Sequence, residues 1–198
     1  MSKSYFNEKS AIWDETIAEK DAATLIKMAD RLGIKPGSVV LDVGTGTGVF
    51  IPFLLSKIGE NGRLVCIDFA EEMLKKAQAK GFGENIEYIC ADIVSSEFGD
   101  GLFDAVVCYS SFPHFQNKPQ ALSEIRRVLK KGGKLGICHT SSRAAINDIH
   151  RNVPAVARDL ILESSEMESM LLEAGFRDIQ IDDAADSYYV STIKSEMT

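Results

Sequence analysis

Only one of the 198 residues is tryptophan, only five are proline, and no Pro-, Gly- or Ser-rich stretch cuts the chain into pieces. No segment repeats along it, so a solenoid or an array is not indicated. No apolar run approaches the roughly 18 residues a membrane-crossing helix needs. The first residues, Met1–Ser10, are polar and lack the apolar stretch of a secretory signal. Positive charge is also short: 22 Lys and Arg stand against 29 Asp and Glu, a net charge of -7. That balance argues against a general nucleic-acid or anionic-membrane binder, whose footprint would be basic. The cysteines Cys66, Cys90, Cys108 and Cys138 contain no C-x-x-C pair, so neither a zinc knuckle nor a thioredoxin-type site is signalled. The expectation is a soluble, cytoplasmic chain that folds as one domain over 1–198.

What the chain does have is alternation. Short apolar runs at Ser38–Val43, Arg63–Asp68, Ile86–Ala91, Phe103–Tyr109 and Lys134–His139 are separated by helical periodicities at Thr47–Ile58, Glu71–Lys80 and Pro119–Leu129. That order predicts a parallel sheet between helices. Upstream, Ala11, Ile12, Ile17, Ala22, Leu25, Ile26, Ala29 and Leu32 recur at helical spacing, predicting one helix over 10–32 that Gly33 stops. Lys130-Lys131-Gly132-Gly133 reads as a turn. Downstream, Arg143–Arg151 and Ser164–Ala174 read as helices, the second capped by Ser164 or Ser165 and ended by Gly175. Asp178–Asp182 and Tyr188–Ile193 read as two strands across a short, hence antiparallel, connection. The expected fold class is α/β: a three-layer sandwich with a seven-stranded, mostly parallel sheet, its last strand antiparallel and helices on both faces. All four cysteines fall in expected strands, where cysteine behaves as a small apolar residue.

The most informative stretch is Val39-Val40-Leu41-Asp42-Val43-Gly44-Thr45-Gly46-Thr47-Gly48. A buried strand runs into closely spaced glycines and then a helix. Such a turn lets a ligand approach the main chain at the carboxyl end of a parallel strand. A phosphate-binding P-loop would need Lys after the last glycine, and none follows Gly48. A dinucleotide loop would need G-x-G-x-x-G, and Val49 stands where its third glycine belongs. S-adenosylmethionine, which needs no pyrophosphate cradle, remains. Asp42, Asp68 and Asp92 each end or follow a strand, and each has a plain alternative as a local cap.

Asp42-Val43-Gly44-Thr45-Gly46-Thr47-Gly48 resembles the acidic-x-Gly-x-Gly-x-Gly motif of the class I S-adenosylmethionine-dependent methyltransferases. The resemblance continues in register. Asp68, in Val65-Cys66-Ile67-Asp68-Phe69, is similar to the acidic residue that holds both ribose hydroxyls. Met73, in Glu71-Glu72-Met73-Leu74, resembles the residue packed on the adenine, and Ala91-Asp92-Ile93 the loop that reads its amino group. Phe103-Asp104-Ala105-Val106-Val107, Leu129–Leu135 and Leu172-Glu173-Ala174-Gly175-Phe176 match later segments. The resemblance implies a cofactor site of Asp42, Gly44, Thr45, Gly46, Gly48, Asp68, Phe69, Met73, Asp92, Ile93 and Tyr109. It implies a small-molecule methyl acceptor, in generic likeness to members that methylate quinones and other metabolites.

Candidate acceptor residues lie past the ends of strands four and five. Tyr109-Ser110-Ser111-Phe112-Pro113-His114-Phe115 lacks the Asn/Asp-Pro-Pro-aromatic signature of the members that methylate DNA or protein amides. The chain has three histidines, His114, His139 and His150. One reading makes His139 or His114 a general base, with Arg143 holding an anionic acceptor. A second makes the three histidines a site for a divalent metal. A third leaves them as separate surface or capping residues. Arg143, Asn147 and His150 share one helical face in any of these. Residues 140–163 are a candidate acceptor cap. Residues 1–32, with Tyr5, Phe6 and Trp13, are a candidate lid that would exclude water. Two rivals remain, a non-catalytic binder of the same cofactor and an NAD-dependent oxidoreductase.

Overall fold

The computed structural model describes residues 2–16 and 22–195. Its centre is a sheet of β1 (Val39–Val43), β2 (Arg63–Asp68), β3 (Ile86–Cys90), β4 (Phe103–Tyr109), β5 (Leu129–His139), β6 (Phe176–Asp183) and β7 (Tyr188–Lys194). The seven strands lie in the order β3-β2-β1-β4-β5-β7-β6. Four ladders are parallel, and β7 runs antiparallel to both its neighbours, β5 and β6. The expected α/β class, strand count and reversed last strand all hold.

The helices are α1 (Ser2–Lys9), α2 (Trp13–Thr16), α3 (Ala22–Arg31), α4 (Ile51–Ile58), α5 (Glu71–Ala79), α6 (Lys118–Val128), α7 (Arg143–Arg151) and α8 (Ser164–Glu173). Successive strand residues point to opposite faces, so each central strand feeds two cores. Leu41, Val43, Val106 and Cys108 pack with Leu122 and Ile125 of α6 and Met167 and Leu171 of α8. Val40, Ala105 and Val107 pack on the other face with Leu25 and Met28 of α3 and Leu54 and Ile58 of α4. Each such fully buried aliphatic side chain contributes about 1.5–3 kcal/mol.

Several boundaries differ from the sequence reading, each for a physical reason. Pro52 has no N–H and must sit in a first helical turn, so α4 starts at Ile51 rather than Thr47. The helix expected over 10–32 is described as a 3-10 turn at Ser10–Ile12, then α2 and α3, and Ile17 lies outside the described residues. Lys130–Gly133 is an irregular opening of β5, because the β4–β5 register shifts between Phe103 and Ala105. Glu163, not Ser164 or Ser165, caps α8, in a reciprocal capping box with Glu166. Cys90 is exposed at the end of the edge strand β3, whereas Cys66, Cys108 and Cys138 are buried.

After β3 the chain returns to the other side of β1 to form β4. The connections therefore part at the carboxyl ends of β1 and β4, the place where open α/β sheets bind ligands.

Candidate functional site

The β1–α4 turn is tied down on one side and open on the other. The Gly44 and Thr45 N–H groups donate to the Ile67 carbonyl at 2.8 and 3.0 Å. Thr45 Oγ1 donates to Asp42 Oδ2 at 2.6 Å. The Gly46 N–H donates to Asp68 Oδ2, and the Ala70 N–H to Asp68 Oδ1, both at 2.8 Å. Both carboxyls are buried, Asp42 at 2% and Asp68 at 6% exposure. Burial pushes Asp42 up to about 7, against the Thr45 hydroxyl and with the help of the Asp68 charge. Burial also raises Asp68, opposed by its two backbone donors.

The three glycines do different things. Gly46 has φ 56°, and an added Cβ would meet nothing within 4 Å, so it opens onto space. At Gly44 a Cβ would stand 2.5 Å from Ser111 Cβ, and at Gly48 2.9 Å from the Phe82 ring. Those two make room for the chain's own packing.

Above this turn lies a cavity of about 880 Å³. Gly44, Thr45, Gly46, Asp68, Phe69, Met73, Asp92, Ile93 and Tyr109 all line it, whereas Asp42 and Gly48 do not. Asp92 also accepts from the Val94 N–H at 3.1 Å, so its capping role and its place on the cavity coexist. Tyr109 stacks on Phe50 at 4.6 Å and reaches Thr140 Oγ1 at 3.5 Å. The N-terminal segment closes one side. Phe6 meets Tyr5, Trp13 and Phe69 edge-on at 5.3 to 6.0 Å. Thr47 Oγ1 donates to Asp14 Oδ1 at 2.5 Å, and the Glu72 N–H to Asn7 Oδ1 at 3.1 Å. The segment is thus fastened to the glycine turn and to the start of α5.

All three histidines line the cavity, and two of them meet the same residue. His114 Nδ1 stands 2.9 Å from Asp159 Oδ2. His150 Nδ1 donates to the Asp159 backbone carbonyl, and its ring lies 4.9 Å from that of His114. His139 is buried at the end of β5, edge-on to Tyr188 at 6.2 Å. Among the described residues, no group of three His, Cys, Asp or Glu side chains is placed to hold a metal ion. The three-histidine metal arrangement is not formed. Arg143 lies outside the cavity lining: its Nε meets Asp183 Oδ2 at 3.2 Å and its Nη1 meets Glu163 Oε1 at 2.6 Å. It is committed to two carboxylates of its own chain, which corrects the expectation that it clamps an anionic acceptor.

The family profile described as a methyltransferase domain matches residues 41–137. Over that stretch, just under half of its length, this chain is similar to a methyltransferase domain. It is 34% identical over 113 residues to the ubiquinone/menaquinone biosynthesis C-methyltransferase UbiE of Hydrogenovibrio crunogenus, covering 55% of this chain and 44% of that protein. Against its counterpart from Teredinibacter turnerae the figures are 36% over 107 residues, 52% and 43%. The chain therefore spans less than half the length of these curated relatives. An S-adenosylmethionine-dependent methyltransferase from Aquifex aeolicus superposes with a TM-score of 0.74 at 22% identity, over 98% of this chain and 99% of that one. A structure from Methanococcus maripaludis, described as a putative enzyme of the same kind, gives 0.77 at 20%, over 97% and 94%. At that identity the likeness is one of fold.

The cavity fits S-adenosylmethionine on its own chemistry. The empty space over Gly46 admits a ligand against the main chain. Each Asp68 oxygen accepts one backbone bond and retains a lone pair for a ribose hydroxyl. Phe69, Met73 and Ile93 offer an apolar face to a purine.

Sequence reasoning missed Asp159, which joins His114 and His150. No motif surrounds it, and its partner His114 is 45 residues away. The nearest signal was the shared helical face of Arg143, Asn147 and His150. That face clasps residues 159–163: Arg143 meets Glu163, Asn147 brackets Ile161, and His150 meets Asp159.

Proposed function

We propose that this chain transfers a methyl group from S-adenosylmethionine to a small, largely apolar acceptor. The carrying observation is the pairing of the open Gly46 with the buried, backbone-bonded Asp68 on one wall of the cavity. When bound, the cofactor supplies a methyl group on a positively charged sulfur with a good leaving group. Displacement then needs alignment above all. Asp68 fixes the ribose and the Gly44–Gly46 main chain admits the amino-acid end. Asp42, behind the turn, sets its shape through Thr45.

Residues 1–32 act as a lid and 140–163 as an acceptor cap. The reading is supported by Phe6 and Trp13 on one side of the cavity and Ile146, Ile149, Val153 and Val156 on the other. Exclusion of water by these walls strengthens every polar contact inside. The net charge of -7 favours a small metabolite over a nucleic acid as acceptor. Free thiols at Cys66, Cys90, Cys108 and Cys138 suit a reducing, cytoplasmic setting.

The test is calorimetric titration with S-adenosylhomocysteine. Wild type should bind, and Asp68→Asn should bind more weakly by about 1–3 kcal/mol, the scale of hydrogen bonds to a charged group. Absence of binding to wild type, or equal affinity in the variant, refutes the assignment.

A further inference from the structure

We infer that His114 and Asp159 form a proton-accepting pair, and that the acceptor is an apolar molecule bearing a weakly acidic hydroxyl, phenolic or enolic. This deepens the methyl-transfer reading and rests on it.

The pair is built from distant parts of the chain. His114 stands on the 3-10 turn Phe112–His114 after β4, and Asp159 on the connection after α7. His114 Nδ1 lies 2.9 Å from Asp159 Oδ2, with the two side chains only 13% and 14% exposed. An ionised carboxylate can only accept, so Nδ1 carries the hydrogen and the lone pair of a neutral ring lies on Nε2. Nε2 takes no hydrogen bond among the described residues, and the ring lines the cavity. A carboxylate that fixes the tautomer of an imidazole is the arrangement that makes its other nitrogen a base.

Asp159 is itself held. Its carbonyl accepts from His150 Nδ1, its N–H donates to the Val156 carbonyl at 2.9 Å, and Asn147 brackets the backbone of Ile161 two residues on. The charged and titratable groups facing the pair are His150 from α7, Asp68 from the end of β2 and Lys118 from the start of α6. Burial and the neighbouring His114 lower the His150 pKa, against its contact with Asp159. Lys118 spends its ammonium on the Pro113 and Phe115 carbonyls at 2.8 and 3.1 Å.

The surroundings choose the substrate class. Phe6 stands edge-on to His114 at 4.9 Å, and Phe115, Val153 and Val156 line the same end of the cavity. A carboxylate acceptor needs no base, since it has already lost its proton. An alkylamine arrives as a cation and meets mostly apolar walls. A hydroxyl on an apolar body loses one proton, and the site offers one base. In the step, the hydroxyl proton passes to His114 Nε2, giving an imidazolium paired with the Asp159 carboxylate. The oxygen electron pair forms the new O–CH3 bond as the methyl–sulfur bond breaks, and that bond's electron pair stays on sulfur, leaving neutral S-adenosylhomocysteine. The imidazolium then returns its proton to water.

The probe is 4-nitrophenol, whose ionised form absorbs visibly, bound to the protein saturated with S-adenosylhomocysteine. Bound probe should ionise at least about tenfold more readily than free probe. In His114→Gln it should bind as the neutral phenol. Nitrogen NMR of the ligand-free protein should show the Nδ1–H tautomer of His114, with the Nε2–H tautomer entering in Asp159→Asn. With S-adenosylmethionine, Asp159→Asn should lower kcat about 100-fold with KM little changed, and shift the acid limb of the pH profile. A purely structural Asp159 would move neither the tautomer nor that limb. Failure of S-adenosylhomocysteine to bind overturns the methyl-transfer reading. Its binding with no bound probe, with neutral probe in wild type, or with equal ionisation in His114→Gln, overturns the dyad and its substrate class.

Discussion

Replacing Asp42 by Asn should flatten the pH dependence of stability between pH 5 and 8. The Asp42 carboxyl is 2% exposed and burial holds it at about 7 in the folded chain, against a reference of 3.8. A raised folded-state value means that the folded protein binds the proton more tightly than the unfolded chain does. The contribution is fully present below about pH 4 and disappears as pH rises through about 7. Between pH 5 and 8 the loss from this group comes to roughly 2.5 kcal/mol. Asn has no proton to lose, and its side-chain oxygen can still accept from Thr45 Oγ1, as Asp42 Oδ2 does. Asp68 is raised as well, but it is present in both proteins and largely cancels in their difference. The assay is urea unfolding of the ligand-free wild type and Asp42→Asn at both pH values. The variant's stability relative to wild type should improve by roughly 2.5 kcal/mol on going from pH 5 to pH 8. A difference that stays constant within about 0.5 kcal/mol would mean that Asp42 titrates as if in water, and the account of the buried turn would be wrong.

Gly46→Val should abolish S-adenosylhomocysteine binding while unfolding stays cooperative, because the added Cβ meets nothing within 4 Å and the side chain projects into the cavity. Its φ of 56° adds about 1–3 kcal/mol of strain, which a denaturation midpoint will read; retained affinity in calorimetry refutes the loop assignment. Asn147→Ala removes two buried bonds at 2.9 and 2.8 Å to the Ile161 carbonyl and N–H, and should cost about 2–4 kcal/mol in urea unfolding. A cost below about 1 kcal/mol would mean that water replaces the amide there.

The centre of the sheet was legible because β1, β2 and β4 are buried on both faces and read as nearly unbroken apolar runs. Arg63–Asp68 and Phe103–Tyr109 coincide with β2 and β4 to the residue. The glycine turn was legible because its chemistry is local, with Asp42, Thr45 and the three glycines inside seven residues. Its division of labour was not. Which glycine faces a ligand depends on Ser111 and Phe82, far along the chain. The N-terminal stretch misled because apolar residues at helical spacing fit an exposed position as readily as a buried one. Ile12 and Ile26 are 40% and 47% exposed.

The histidines show where a sequence pattern is correct and its interpretation incomplete. Arg143, Asn147 and His150 do share one face of α7, as spacings of four and three require. A helix advances about 1.5 Å per residue and an extended chain about 3.3 Å. Three helical side chains separated by four and three residues therefore match an extended segment taken two residues at a time. Glu163, Ile161 and Asp159, two residues apart, meet these three side chains in reverse order. A polar helical face read as a substrate site is here a clasp on the chain's own backbone. The clasp nevertheless reaches the cavity, because its last contact sets Asp159, and Asp159 faces His114. The role proposed for His114 rests on that contact, and Arg143 and His150 hold the segment that carries Asp159.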